Sequence, residues 1–276
     1  MWQSDYEMEH AAYSLSATEF VEDLPRWLAD AKTRKDWPLW KAAIEEEMLA
    51  LEKNKTWTLT ALPHGRKPIT NKWVFKIKQG VSREPDRYKA RLVARDFSQK
   101  FGFDYNETYS PVAKLDTLRA VLAVACQERM EVHQMDVRTT FLNGSLVEEI
   151  FMVQPEGFGK EKNFVCRLEK SLYGLKQASR VWNSRFHGFV VEQLGFKQNS
   201  NDQCLYTRGS CADCVIMVLY VDDVLVAGAS SKALQVVKNC LSAEFEMADI
   251  GEIRCFLGLR VDYDRAKGVI KISQRK

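Results

Sequence analysis

Three aspartates are the residues of this chain best placed to do chemistry. Asp222 and Asp223 interrupt VIMVLYVDDVLVAG, residues 215–228, one of the most apolar runs in the sequence. Carboxylates are costly to bury without compensation. The run reads as two strands joined by a tight turn that pushes both acids out at its tip. An acidic turn without chemical consequence is the plain alternative, because Asp is a common turn residue. Asp136 weighs against it: in HQMDVRTTFLNG it also ends an apolar strand, 86 residues before Asp222. If that strand lies beside the hairpin, three carboxylates meet at one sheet edge and repel one another. Hard oxygen ligands of this kind suit Mg²⁺, and two such ions about 4 Å apart can clamp an in-line phosphoryl transfer. One ion would activate an attacking 3′-oxygen, and the other would hold a triphosphate and neutralise the leaving pyrophosphate.

Groups that could meet those phosphates lie upstream. Between Arg66 and Lys100 there are 11 Lys/Arg against three Asp/Glu, whereas the whole chain carries only +3, so the remainder is net acidic. In NKWVFKIK and YKARLVAR the cations alternate with apolar residues. That period of two predicts two strands with one basic face, joined by the hairpin-like loop QGVSREPDR with Gly80 and Pro85.

Helices must hold these strands. DWPLWKAAIEEEMLALEKNKTW predicts one, capped by Asp36, with Pro38 in its first turn, an apolar stripe of Trp37, Trp40, Ile44, Met48 and Leu51, and a stop at Asn54. LDTLRAVLAVACQERM predicts a second, capped by Asp116 or Thr117, followed by the strand EVHQMDV and the turn LNGS. ASRVWNSRFHGFVVEQLG predicts a third, ended by Gly195. CLYTRGSCADCVIMVLYVDDVLVAGAS reads as consecutive strands, SSKALQVVKNCLSAEF as a fourth helix, and RCFLGLRVDYDRAKGVIKIS as a hairpin turning near Lys267-Gly268. Residues 1–35 show weak patterning and are expected to pack poorly. Helices on a mainly antiparallel sheet make an α+β fold.

The 276 residues suffice for one large domain or two smaller ones, and 46% hydrophobic with 28% charged residues is an ordinary globular composition. No apolar run reaches the ~18 residues of a membrane span, and MWQSDYEMEH lacks a signal-peptide profile. The seven cysteines show no framework spacing, and Cys211 and Cys214 in SCADCV lack a second ligand pair, so a strand start explains them better than a metal. His133 and His187 read as structural.

Beyond single residues, RYKARLVAR, ETYSPVAK, HQMDV, FLNGSLVEEIFMVQPEGF, SLYGLKQASRVW, LYVDDVLVAG and FLGLRV occur in this order. Together they resemble the polymerase region of copia-type LTR retrotransposons, from about Trp37 to Gln274. The resemblance implies a right-hand polymerase with fingers and palm. Its segments would be a leader (1–35), the N-terminal helix and basic fingers strands (36–112), the palm with the first catalytic Asp (113–143), a fingers return (144–177), and the palm with the YVDD hairpin and a primer-grip-like hairpin (178–276). Thumb and RNase H are expected to be absent. The implied activity is RNA-directed DNA synthesis with two Mg²⁺ (or Mn²⁺) ions, dNTPs, and an RNA or DNA template-primer. The implied partner is the rest of a Pol polyprotein. The setting is cytoplasmic, including virus-like particles and nuclear entry, with no membrane.

Position by position, Asp136 and Asp222 match the metal-binding aspartates and Asp223 completes the acidic set. Phe141 matches the aromatic that senses the sugar 2′ position. LYGLKQA points to Tyr173, Gly174 and Lys176 beside the incoming nucleotide, Lys76 and Arg91 fall where the fingers meet the triphosphate, and Phe256 to Gly258 resemble the primer grip. The plain alternatives are solvated strand residues for Lys76 and Arg91, core aromatics for Tyr173 and Phe141, and a backbone device for Gly174. Two positions depart from the family pattern: Thr140 replaces a small residue, most often Ala, and Asp96 replaces a Gly. They favour a second reading, a catalytically dead relic that only binds nucleic acid or protein. A related RNA polymerase is disfavoured by Phe141 and Val221, where such enzymes keep a polar residue and Gly.

Overall fold

Changes in apolar period along the chain set the order of elements. The computed structural model describes residues 24–78, 86–159 and 163–274. Helices α1 (Leu28–Thr33) and α2 (Trp37–Lys53) come first, then β1 (Trp57–Ala61), β2 (Asn71–Lys78) and β3 (Arg87–Ala94). Helix α3 (Leu115–Gln127) precedes β4 (Glu131–Val137), β5 (Ser145–Met152) and β6 (Phe164–Lys170). After α4 (Ala178–Gly188) come β7 (Lys197–Gln198), β8 (Leu205–Arg208), β9 (Val215–Tyr220) and β10 (Asp223–Gly228). The last elements are α5 (Ser231–Glu244), β11 (Met247–Glu252), β12 (Cys255–Phe256), β13 (Leu259–Asp264) and β14 (Val269–Ser273).

The result is a mixed α and β fold whose named strands pair antiparallel. Its centre is a six-stranded sheet in the order β11-β4-β10-β9-β8-β7. Both faces of this sheet are covered, which explains the long apolar runs. Met135, Val137, Val224 and Val226 face Trp182, Phe186, Leu234 and Phe245 of α4, α5 and the residue after α5. Val132, Leu225 and Ala227 face Leu118 and Leu122 of α3 and Phe256, Leu259 and Val261. Side chains alternate along a strand, so Gln134 and Asp136 lie on the second face with Val132, and Asp223 with Leu225. A separate core joins α1, α2, the β2–β3 ribbon and the sheet β1-β6-β5.

Several local expectations change on folding. The stretch 1–35 is expected to pack poorly; 1–23 lie outside the described residues, but α1 buries Leu28 and Ala31 in the first core. Six residues are too few for a helical period to show in sequence. Asp36 occupies the cap position of α2 without a capping bond; its carboxylate accepts from the Trp40 indole (3.1 Å) and Arg34 (3.0 Å). Helix α3 begins one residue earlier than its expected cap, after Lys114. The distant Asp202 anchors this helix start, accepting from the Lys114 N–H (3.1 Å) and the Thr117 hydroxyl (2.5 Å). Helix α4 continues as a π-turn over Phe189–Gln193 before Gly195, whose φ of +70° ends it. The ribbon loop with Gly80 and Pro85 lies outside the described residues. No helix among the described residues is long and apolar enough to cross a membrane.

Candidate active site

The site begins with the β4–β10 ladder. Asp223 pairs directly with Asp136, and Asp223 also faces Tyr220 across the β9–β10 hairpin. Two residues, Val221 and Asp222, close that hairpin, and Val221 takes a φ of +53°. A β-branched residue rarely adopts this conformation, so the turn needs support from outside. The buried Trp182 indole donates to the Val221 carbonyl (2.7 Å), and the Val137 N–H donates to the Asp222 carbonyl (2.8 Å). These bonds anchor the turn to α4 and to the end of the strand carrying Asp136.

Asp136 and Asp222 line one cleft of about 480 Å³. Burial and then the Asp222 charge hold the Asp136 carboxyl above its ordinary value, while Lys78, Lys89 and Arg138 pull it back. Asp223 is also held high, chiefly by burial, against a hydrogen bond of 2.8 Å that its carboxylate accepts from the Gln134 amide. Among the described residues no three His, Cys, Asp or Glu converge closely enough to hold a metal by themselves. Asp136, Asp222 and Asp223 lie together at one sheet edge, with Asp136 and Asp222 lining the cleft and Asp223 beside it. That set still fits Mg²⁺, which is usually held by one or two carboxylates while waters and substrate phosphates complete its shell. A bound cation would offset both the burial and the Asp222 repulsion that raise the Asp136 carboxyl.

The opposite wall is the basic ribbon. The β2–β3 register puts Lys76 opposite Lys89, Lys78 opposite Arg87, and Val74 opposite Arg91. Trp73, Phe75, Ala90 and Leu92 point the other way into the core. The cleft receives Lys78, Arg87, Lys89 and Arg91 from this face, but not Lys76. Of the two cations expected at the triphosphate, Arg91 lines the cleft and Lys76 does not. Period-two reading identifies the face; it does not say which end of the ribbon overhangs the acids. Lys89 is pushed down to about 8 by burial and by the surrounding Lys78, Arg87 and Arg91. Helix α2 supplies an acidic counterweight: Glu46 pairs with Arg87 at 2.8 Å, and Glu47 accepts from the Leu92 N–H at the ribbon edge (3.2 Å). Sequence reading counted Lys89 among the basic-face cations and missed Gln134, Lys78 and these two glutamates. Only the side-chain alternation around Asp136 pointed toward Gln134.

Tyr173 links the wall to the floor. It lines the cleft, carries the Arg91 guanidinium 4.4 Å above its ring, and meets Phe141 edge-on at 4.8 Å. Phe141 follows a left-handed Thr139 (φ +50°) that turns the chain back after β4. The ring is half-buried and packs against two of the three cores. Gly174 has a φ of +84°, and a Cβ there would lie 2.1 Å from the Ala94 carbonyl oxygen. It is needed for backbone approach to β3, with the Ala94 N–H donating to the Tyr173 carbonyl (2.8 Å). Lys176 lies outside the cleft lining, its ammonium 3.6 Å from Asp96. Asp96 opens a 3₁₀ turn without a positive φ, so the backbone there does not require the family's Gly. Thr140 is buried with its hydroxyl satisfied by the Val137 carbonyl (2.9 Å). Leu257 and Gly258, both with positive φ, make the two-residue turn between β12 and β13.

Residues 54–276 match the reverse transcriptase (RNA-dependent DNA polymerase) family. The chain is 44% identical over 237 residues, 85% of its length, to the retrovirus-related Pol polyprotein from transposon TNT 1-94 of Nicotiana tabacum. It is 36% identical over 267 residues, 96% of its length, to the corresponding polyprotein from transposon RE1 of Arabidopsis thaliana. A transposon Ty1-ER2 Gag-Pol polyprotein of Saccharomyces cerevisiae matches at 28% over 238 residues, 82% of the chain and 13% of that polyprotein. The chain spans 18% of the length of each of the two plant relatives. With its paired aspartates at the strand ends of an antiparallel sheet, the chain belongs to the reverse transcriptase (RNA-dependent DNA polymerase) family and is most readily grouped with the copia-type transposon Pol polyproteins.

Proposed function

We propose that this chain is the fingers-and-palm part of an RNA-directed DNA polymerase that extends a primer with dNTPs on an RNA or DNA template. The observation that carries the reading is Asp136 and Asp222 lining one cleft with Lys78, Lys89 and Arg91. Acids and cations facing each other across a cleft suit the two ends of a triphosphate reaction. The six-stranded sheet would be the palm, and the β2–β3 ribbon the fingers. Asp136 and Asp222 would hold two Mg²⁺ or Mn²⁺ ions, which when bound lower the pKa of the primer 3′-hydroxyl and neutralise pyrophosphate. Lys78, Lys89 and Arg91 would orient the triphosphate. Tyr173 and Phe141 would form the floor beneath base and sugar, and the β12–β13 hairpin would steady the primer. The bond formed joins the primer 3′-oxygen to the α-phosphorus; the bond broken releases pyrophosphate, and the hydroxyl proton leaves to solvent. The remainder of a Pol polyprotein would be its partner, in a cytoplasmic particle with later nuclear entry.

Primer extension on poly(rA)/oligo(dT) with Mg²⁺ or Mn²⁺ tests this. Products that vanish in Asp222→Asn support it; no extension with either ion, or an active Asp222→Asn, overturns it. The second reading, a binding-only relic, is favoured by one contact. Asp96, which stands where the family pattern has Gly, draws in Lys176, a cation that the resemblance assigns to the nucleotide.

A further inference from the structure

Beside the directly paired Asp136 and Asp223 sits Gln134, a residue to which the family resemblance assigns no role. Gln134 is only 9% exposed. It lies two residues before Asp136 on the same face of β4, and its cross-strand partner is Leu225, two residues after Asp223. From that diagonal position its amide donates to the Asp223 carboxylate at 2.8 Å. On the other side β11 offers no side chain: the register is bulged between Asp249 and Gly251, and Gly251 is the residue opposite Gln134. A buried amide would otherwise have to give up its hydrogen bonds to water; here it spends a donor on an acid of the site. Asp136 and Asp222 line the cleft, and Asp223 does not.

We infer that Gln134 is a positioning residue: its amide pins the Asp223 carboxylate outside the Asp136–Asp222 pair, so that the cation-binding pair stays a pair. This inference rests on the polymerase reading for the role of the pair. Asp223 directly faces Asp136, and without the amide it would be the nearest further oxygen donor for a cation held there. Divalent sites are sensitive to such outer partners, whose loss commonly changes metal affinity by about 10–100-fold. An amide also holds a carboxylate without adding charge, which a Lys or Arg at this position would do beside a site that must attract cations.

The test is Mn²⁺ binding by the whole chain without nucleic acid, followed by electron paramagnetic resonance, with primer extension on poly(rA)/oligo(dT) run in parallel. With Gln134 present, Asp136→Asn and Asp222→Asn should each weaken Mn²⁺ binding about tenfold or more, while Asp223→Asn should change it by less than about threefold. Gln134→Met keeps side-chain length and removes the donor. In that background Asp223 should become a ligand, so adding Asp223→Asn should now change the affinity about tenfold. Gln134→Asn, with a shorter reach, gives the same comparison should the Met variant fold poorly. Equal loss from Asp223→Asn and Asp222→Asn in the presence of Gln134 would overturn the inference. So would indifference to Asp223→Asn in both Gln134 variants. The expected Mn²⁺ pattern without primer extension would support the role of Gln134 and overturn the polymerase reading. No Mn²⁺ binding by the unsubstituted chain would overturn both.

Discussion

Asp136 and Asp223 are direct cross-strand partners in the β4–β10 ladder, and the two-residue turn before Asp223 places Asp222 at the same cleft as Asp136. Eighty-six residues separate Asp136 from Asp222 in the chain. The strain at Val221 is offset by the Trp182 indole, so the reactive edge depends on a core residue as well as on its own acids.

Removing either cleft acid should have opposite effects on activity and on metal-free stability. Asp136→Asn or Asp222→Asn should lower primer extension by about 10²-fold or more, the scale of losing a group that stabilises transition-state charge. In EDTA the melting temperature of Asp136→Asn should rise, because burial and the Asp222 charge already disfavour its ionised form. A lower melting temperature in EDTA would contradict the repulsion.

The same acids set a pH dependence. Asp136 and Asp223 sit above the ordinary value of 3.8, so the native chain binds their protons more tightly than the unfolded chain does. Their stabilising contribution is complete below that value and is lost as pH rises through the raised native values. Urea unfolding in EDTA should therefore show the advantage of Asp136→Asn growing as pH climbs above about 4 and disappearing below it.

Lys89, pushed down to about 8, predicts a second titration. A triphosphate binds its protonated form, so dNTP affinity should fall as pH rises through about 8, by up to tenfold per unit. Lys89→Arg should remove that fall, because Arg stays charged. Fluorescence titration of a labelled dNTP on either side of this pH reads it directly.

Affinity for an RNA–DNA hybrid should drop steeply with salt. Neutralising two of Lys78, Lys89 and Arg91 should flatten the log–log slope by roughly one to two units, whereas neutralising Lys76 alone should leave the dNTP affinity within about twofold. A fluorescence-anisotropy series over several salt concentrations measures the slopes.

Phe141 carries two loads. Phe141→Ala should raise ribonucleotide relative to deoxynucleotide incorporation by about tenfold or more, since the ring offers a 2′-hydroxyl no hydrogen-bond partner. It should also cost about 1–3 kcal/mol of stability, because the ring joins two cores. Stability loss with an unchanged ratio would leave Phe141 as a core residue alone.

Much of this protein was legible in one dimension because the signals are local. The apolar stripe of α2, the alternation in β2 and β3, the two strands around Asp222, and the turn at Gly268 each follow from a period of 3.6 or two, or from a turn residue. The choice of Asp136, Asp222, Asp223 and Tyr173 as candidate site residues needed only such patterns and ordered motif words. Tertiary structure decided what depends on register between distant strands. Pairing β4 with β10 in one register put Gln134 diagonal to Asp223, and a one-residue slip would have sent it to the opposite face. Packing of the ribbon over the acids chose Lys78 and Lys89 rather than Lys76. Asp202, far along the chain, anchors the start of α3 through the Lys114 N–H and the Thr117 hydroxyl. Periodicity specifies which face of an element is apolar, whereas the meeting of two polar side chains depends on where both elements dock, and that is fixed only when all the cores close together.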